Sequence, residues 1–420
     1  MKRYLLSIVL GAFAVLAIGA YYSLGSSAGM PQYRLATVEG DAAEGASIRL
    51  DGSYVGGVGS KALSITGEGT SYNLQSSVYK KHFNNNRYLT NRYAEFAELK
   101  REHRGFMRGK SIENGFYQDE EWLVYADVKI YRNDKRQWEI VTTLEALDKS
   151  AGKTEKYRHV AEGSADNHWI VVHDVQRVDD EIHILSQRHG QNRASQDELG
   201  SFEDFHVDVF DVKSGERVRG GKINLQLERE RGTALRLSTV PAMTRSAPSD
   251  VILLRATSYQ RTENRNGSYA ELPVSEQLFV YHYRTGEIAP VPELHSLSGE
   301  ALNNSQYDLD GDRIVHVIRD KKQLTVSAYR LSTGQTEQGV VEWTADQLGW
   351  ETIHSAVIEN DRIYVFIGRE TRQSADVAAV VLNAANGDVL YKGRAEFVGP
   401  EAEAATAMNE LWIRGLYVRD

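Results

Sequence analysis

The chain has 420 residues, a formal charge of −9, 35 glycines, 7 prolines and no cysteine. The missing cysteine excludes disulfides, thiolate metal sites, a cysteine nucleophile and lipid attachment through a thiol. The acid excess argues against nucleic acid as a partner, because a general binder needs a broad basic face. Hydrophobic residues make up 41%, enough to bury a core.

Lys2 and Arg3 precede an apolar run from Tyr4 to Leu24. About 20 such residues cross the roughly 30 Å of hydrocarbon in a bilayer. No basic residue follows until Arg34, so the positive-inside rule puts the N-terminus in the cytoplasm and the body outside it. The expectation is a single-pass anchor over 1–24 in the cell membrane, held there through residues 4–24. A signal peptide cleaved after Ser26-Ser27-Ala28 is the alternative. Residues 25–33 read as a tether and 34–420 as the folded body. Gly25-Ser26-Ser27-Ala28-Gly29 spells a nucleophile elbow, but neither the strand before it nor the helix after it is present in the pattern.

Residues 34–78 alternate in strand fashion around Ile48, Leu50, Leu63 and Ile65, with Asp51-Gly52 as a hairpin signal. Gly57-Val58-Gly59-Ser60-Lys61-Ala62 spells a dinucleotide fingerprint, yet a strand pattern follows where a helix would have to open onto the pyrophosphate. Residues 79–110 break the β rhythm. Leu89, Tyr93, Phe96 and Leu99 follow helical spacing, and the window holds nine Lys/Arg against three Glu. Its charge of +6 leaves −15 for the rest of the chain. The spacing predicts an amphipathic helix inserted into a β-body. Its polar side is either a plain solvated face or a docking surface for an anionic protein, lipid headgroup or wall polymer, with Arg92, Lys100, Arg101, Arg104, Arg108 and Lys110 as the candidate contacts.

From residue 111 onward two phrases recur. An acidic lead runs into an apolar strand at Glu120-Glu121-Trp122, Asp180-Glu181-Ile182, Asp250-Val251-Ile252, Asp312-Arg313-Ile314 and Asp361-Arg362-Ile363. An apolar strand then ends on a polar residue and a glycine turn, as in Phe210-Asp211-Val212-Lys213-Ser214-Gly215. Copies close at Gly152, Gly286, Gly334 and Gly387. The five glycines are 63, 71, 48 and 53 residues apart; constant wording at variable spacing indicates a fixed unit with loops of changing length. Glycine supplies the turn, the apolar residue five before it faces the core, and the polar residue four before it caps the bend. A sixth lead, Asn409-Glu410-Leu411-Trp412-Ile413, reaches the C-terminus without its glycine phrase. The fold this predicts is all-β: a β-propeller of six blades, with seven as the alternative. Strands from 34–78 would close the ring so that no edge is left open.

The copy Val380-Val381-Leu382-Asn383-Ala384-Ala385-Asn386-Gly387-Asp388-Val389-Leu390-Tyr391, and the weaker one at Ala146–Thr154, resemble the repeat of the PQQ-like β-propellers within the PQQ-like/WD40-like superfamily. The resemblance covers roughly residues 115–420 and implies the fold. The redox members hold their quinone beside paired cysteines, which this chain lacks, so it implies no cofactor and none is expected.

Histidines cluster at His168, His173, His183 and His189 beside Asp174, Asp179 and Asp180. In a regular strand His168 and His173 point to opposite faces, and a strand end is expected between His183 and His189, so the cluster reads as structural. Asp308-Leu309-Asp310-Gly311-Asp312 has its glycine in the wrong place for a calcium loop and reads as a turn. No catalytic or metal-binding residue can be named from spacing, because a propeller assembles its sites across blades. Two functions stay open: a non-enzymatic binding, sensor or accessory protein, or an extracytoplasmic hydrolase or lyase acting at the channel mouth. In either case the long polar connectors 186–204 and 257–276 would rim the site.

Overall fold

The structure is a computed structural model describing Phe13 and residues 30–56, 60–72, 94–164, 167–191, 201–227, 233–240, 246–263, 269–291, 302, 304–359, 361–369 and 376–418. The anchor, the tether, the nucleophile-elbow spelling and Arg92 lie outside these residues, apart from Phe13 and the last positions of the tether. Among the described residues, no helix is long and apolar enough to cross a membrane.

Strands dominate. β1 (Gln32–Gly40), β2 (Ile48–Val55), β3 (Ser60–Thr66) and β4 (Gly69–Tyr72) come first, then helix α1 (Ala94–Glu102). Next are β5 (Phe116–Gln118), β6 (Trp122–Arg132), β7 (Trp138–Asp148) and β8 (Lys153–Glu162). β9 (Asn167–Val178), β10 (Glu181–Gln191), β11 (Ser201–Asp211) and β12 (Arg217–Lys222) form the next group. It is followed by β13 (Thr233–Val240), β14 (Val251–Glu263), β15 (Tyr269–His282) and β16 (Ile288–Pro290). β17 (Ser305–Asp310), β18 (Arg313–Arg319), β19 (Gln323–Arg330) and β20 (Gln335–Thr344) repeat the pattern. The chain ends with β21 (Thr352–Glu359), β22 (Arg362–Gly368), β23 (Val377–Asn383), β24 (Val389–Val398), α2 (Glu401–Asn409) and β25 (Leu411–Val418).

Each group of four consecutive strands is one antiparallel sheet, from β5–β8 through β17–β20. The two exceptions involve the chain ends. β25 pairs with β2, heading the sheet β25-β2-β3-β4, and β1 pairs with β24, adding a fifth strand to β21–β24. Numbered from β2–β4, the described residues hold six sheets. The arrangement is consistent with a β-propeller. N- and C-terminal strands clasp the same pair of sheets, covering edges that would otherwise recruit another chain. Ser60–Thr66 is a strand, so no helix opens after the dinucleotide spelling.

The two phrases are the second and third strands of sheets two to six. Gly152, Gly215, Gly286, Gly334 and Gly387 all have positive φ, between 64° and 78°, where a Cβ is strained. The apolar residues five earlier, Leu147, Phe210, Tyr281, Tyr329 and Leu382, are all buried. The cap is less uniform. Asp148, Asp211 and Asn383 accept from the turn amides, whereas at Arg330 the neighbouring lead supplies the acceptor, Asp312 taking Ser332 N–H at 2.7 Å. In every copy the lead's acidic residue accepts, through its carbonyl, from the first residue after the third strand (Glu121 from Lys149, Asp180 from Val212, Asp250 from Tyr283, Asp312 from Leu331, Asp361 from Ala384). Lead and phrase are therefore two sides of one hairpin end. The sixth lead differs: Leu411–Ile413 belongs to β25, a first strand, and its sheet takes its other three strands from the N-terminus.

Apolar clusters join neighbouring sheets. Val124 and Leu144 meet Val172 and Ile182, and Phe205 and Val207 meet Leu254 and Phe279. Leu253 meets Ile314, Val326 meets Val380, and Phe366 meets Leu50 and Ile413 across the clasp. Strands inside such a stack are apolar on both faces, as β23 is along nearly all its length. Between the first and second sheets the described residues form no such cluster. Helix α1 packs Phe96 and Leu99 onto Phe116, Leu123, Tyr125 and Leu147 of the second sheet. Burying those two side chains stabilises this contact by about 1.5–3 kcal/mol each.

Candidate functional site

The basic segment divides in two. Lys100, Arg101, Arg104 and Arg108 are exposed, and Arg101 reaches Glu98 at 2.9 Å within its own helix. Lys110 does not belong with them. It is buried, bonded to the Phe106 carbonyl and to Glu145 at 2.7 Å, and lies 4.0 Å from the Phe106 ring centroid. Burial pushes its pKa down while the Glu145 carboxylate pulls it back. Its charge is spent holding the segment to β7, so it corrects the expected docking set.

A second polar cluster joins His173 and His189, read above as structural, to residues the sequence left unassigned. Cross-strand register places Trp169 of β9, His189 of β10 and Glu203 of β11 in one row, and Val171, Gln187 and Phe205 in the next. All face the fourth sheet. Trp169 stacks on His189 with centroids 4.5 Å apart and planes 22° apart, yet 54% of it remains exposed. One indole face is covered and the rest is open to solvent.

Behind the platform runs a hydrogen-bond relay whose direction can be deduced. The Gln187 amide donates to Glu203 Oε2 at 2.9 Å and to the Leu237 carbonyl at 2.9 Å. Its oxygen must then accept from His173 Nε2, 2.6 Å away. His173 Nδ1 is left to accept the Thr239 hydroxyl at 3.0 Å. Burial lowers the His173 pKa, keeping the ring neutral as this tautomer requires. Glu203 also accepts the Leu237 amide at 2.6 Å and lies 3.4 Å from His189 Nδ1. Burial pushes its carboxyl up, but the His189 and Leu237 contacts outweigh that and hold it below the usual range. Arg236, half exposed, pairs with Glu271 at 2.6 Å and sits 5.9 Å over the Tyr259 ring.

His173 reaches this cluster because β9 is irregular between the partners of Leu185 and Ser186. An extra residue there lets His173 and Asp174 both face the fourth sheet. β10 also runs unbroken through His183 and His189, correcting the strand end expected between them. His168 takes no part in the relay. Within the connectors 186–204 and 257–276 the described residues extend strands β10, β11, β14 and β15, and they supply Gln187, His189, Glu203, Tyr259 and Glu271. Connector length and the clustering of His189 with other histidines were the available signals; Gln187, Glu203, Tyr259 and Glu271 had none of their own. The Asp308–Asp312 stretch is the end of β17 and the two-residue hairpin turn Gly311-Asp312 into β18, with Gly311 at φ 52°.

The patch combines an open aromatic face, a fixed carboxylate and a guanidinium. It suits a ligand with a flat apolar side bounded by hydrogen-bonding groups. Among the described residues no group of three or more His, Asp or Glu could hold a metal ion.

No family model and no curated protein matches the chain. Solved structures similar to it include an acylaminoacyl peptidase from Pyrococcus horikoshii, at 13% identity over 69% of this chain and 52% of that one, TM-score 0.26. The alignment thus spans about half of the peptidase. The β-propeller domain of the Trilobed protease from Pyrococcus furiosus aligns at 11% identity over 72% and 96%, TM-score 0.21. The rhamnogalacturonan lyase YesW aligns at 10% over 68% and 69%, TM-score 0.24. At these scores no activity transfers to this chain.

Proposed function

We propose that this chain is a membrane-anchored, extracytoplasmic six-bladed propeller that acts as a binding module, with the Trp169 patch as its ligand surface. The carrying observation is the half-open Trp169–His189 stack in front of a relay in which every donor and acceptor has an assigned role. A pre-satisfied network orients a ligand without reorganising, which favours recognition. The apolar run over 4–24 supports the anchor, and closure by β1 and β25 supports the ring. The exposed Lys100, Arg101, Arg104 and Arg108, on a segment whose apolar side is already used by the second sheet, support a second contact with an anionic partner.

A sugar ring has the flat apolar face and hydroxyl rim that the Trp169 patch matches. Titrating the intrinsic fluorescence with cello- and chito-oligosaccharides tests this: saturable quenching is expected, and Trp169→Phe should remove most of it. Quenching that is identical in both proteins would overturn the reading. One observation favours the hydrolase or lyase alternative, namely that His189 and Glu203 form a solvent-reachable acid–base pair. Chain shortening by the wild type, lost in Glu203→Gln, would establish that alternative.

A further inference from the structure

A separate cavity of about 460 Å³ opens where the body begins, between Met30–Gln32, the end of β24, α2 and Tyr54. That volume is within the range of small-molecule sites, roughly 300–1,000 Å³. Met30, Pro31 and Phe397 provide an apolar and aromatic wall. Two carboxylates, Glu403 and Glu410, also line it, and none of the described lining residues is basic. Glu410 accepts the Tyr54 hydroxyl at 2.7 Å, which holds the carboxylate and the phenol ring side by side. That hydrogen bond raises the Tyr54 pKa, so the phenol remains a donor. The cavity also meets the N-terminus of α2, whose positive dipole end would repel a cation, but Glu401 and Glu403 in the first turn offset it.

We propose that this cavity binds an organic cation: an amine or quaternary ammonium group carried on a small apolar body. The charge goes to Glu410 and Glu403, the aromatic faces of Tyr54 and Phe397 attract the cation through their quadrupoles, and the apolar wall takes the body. An anion would meet two carboxylates and no counter-charge. The inference is independent of the Trp169 patch, because no residue is shared.

Calorimetry on the full chain in maltoside micelles, whose headgroups carry no charge, tests it. The probes are benzyltrimethylammonium and the series hexylamine, hexanol and hexanoate. The two cations are expected to bind, hexylamine at least tenfold more tightly than hexanol, with hexanoate giving no heat. Glu410→Gln should weaken the cations about tenfold, and Phe397→Leu should weaken benzyltrimethylammonium more than hexylamine. Glu403→Gln, at an exposed position, provides a variant whose fold is undisturbed and should weaken the cations severalfold. Equal binding of hexanol and hexylamine, cation binding unchanged in both glutamate variants, or no heat from any probe would overturn the proposal.

Discussion

The third and fourth sheets meet along one interface whose two ends use the same residue types to opposite effect. At the end nearer the Asp179–Asp180 turn, Asp174 is enclosed, accepting Tyr283 O–H at 2.6 Å and the Val175 amide at 2.9 Å. Gln176 bridges it to the Ala247 carbonyl and accepts the Ser249 amide. His183 lies alongside, edge-on to Tyr283, with neither ring nitrogen hydrogen-bonded and Glu181 3.6 Å away. At the other end, His189 and Glu203 are held as firmly but open toward solvent beside Trp169. Full enclosure turns the first set into a core network, whereas His189 and Glu203 keep a little of their side chains exposed beside the half-exposed Trp169, which leaves the second within reach of a ligand.

The comparison can be broken most strongly through pH. Burial raises Asp174 to about 6, so between the ordinary carboxylate value and 6 the native state keeps a proton that the unfolded chain has lost. Its contribution therefore falls as pH rises through that window. Asp174→Asn should remove the fall, gaining on the order of 3 kcal/mol over wild type at pH 7.5 and little at pH 4. Urea unfolding at the two pH values measures this; an equal difference at both would refute it. His183 has the opposite sign. Burial lowers it to about 4, so its neutral-state stability is lost as pH falls from 6.5 to 4. His183→Leu leaves no hydrogen bond broken and should flatten that acid limb, also by up to about 3 kcal/mol.

Tyr283→Phe removes the donor from an enclosed carboxylate and should cost about 2 kcal/mol at pH 7; a thermal midpoint within a degree of wild type would contradict the enclosure. At the open end the effects shrink. Glu203→Gln should lower stability by about 1 kcal/mol at pH 7. Because the Glu203 carboxyl is held low, that difference should fade as pH falls through its folded value. Trp169→Ala should change stability least, by about 0.5 kcal/mol or less, while abolishing ligand quenching. A large loss of stability there would mean that the indole is structural.

Much of the architecture was legible because it is local. A glycine that must take positive φ and an apolar residue five earlier are short-range requirements, each visible in five copies, and the acid that opens the partner strand recurs with them. Phe96 and Leu99 showed the buried side of α1 by spacing alone. Lys110 did not show itself, since a lysine reads as exposed until a specific carboxylate, here Glu145, is found 35 positions away. The place of the sixth lead in its sheet was hidden for a similar reason: Leu411–Ile413 has the wording of the other leads, which open second strands, but its partner β2 lies at the other end of the chain.

The sequence alone determined the strand units, their turn chemistry, the inserted amphipathic helix and the absence of thiol chemistry, because period, φ preference and composition are properties of neighbouring residues. Only the tertiary structure decided that Trp169, His189 and Glu203 form one row, that an irregularity in β9 brings His173 to Gln187, and that Glu410 shares a cavity with Phe397. Those relations depend on register and sheet packing between segments far apart in the chain, and no local pattern encodes them.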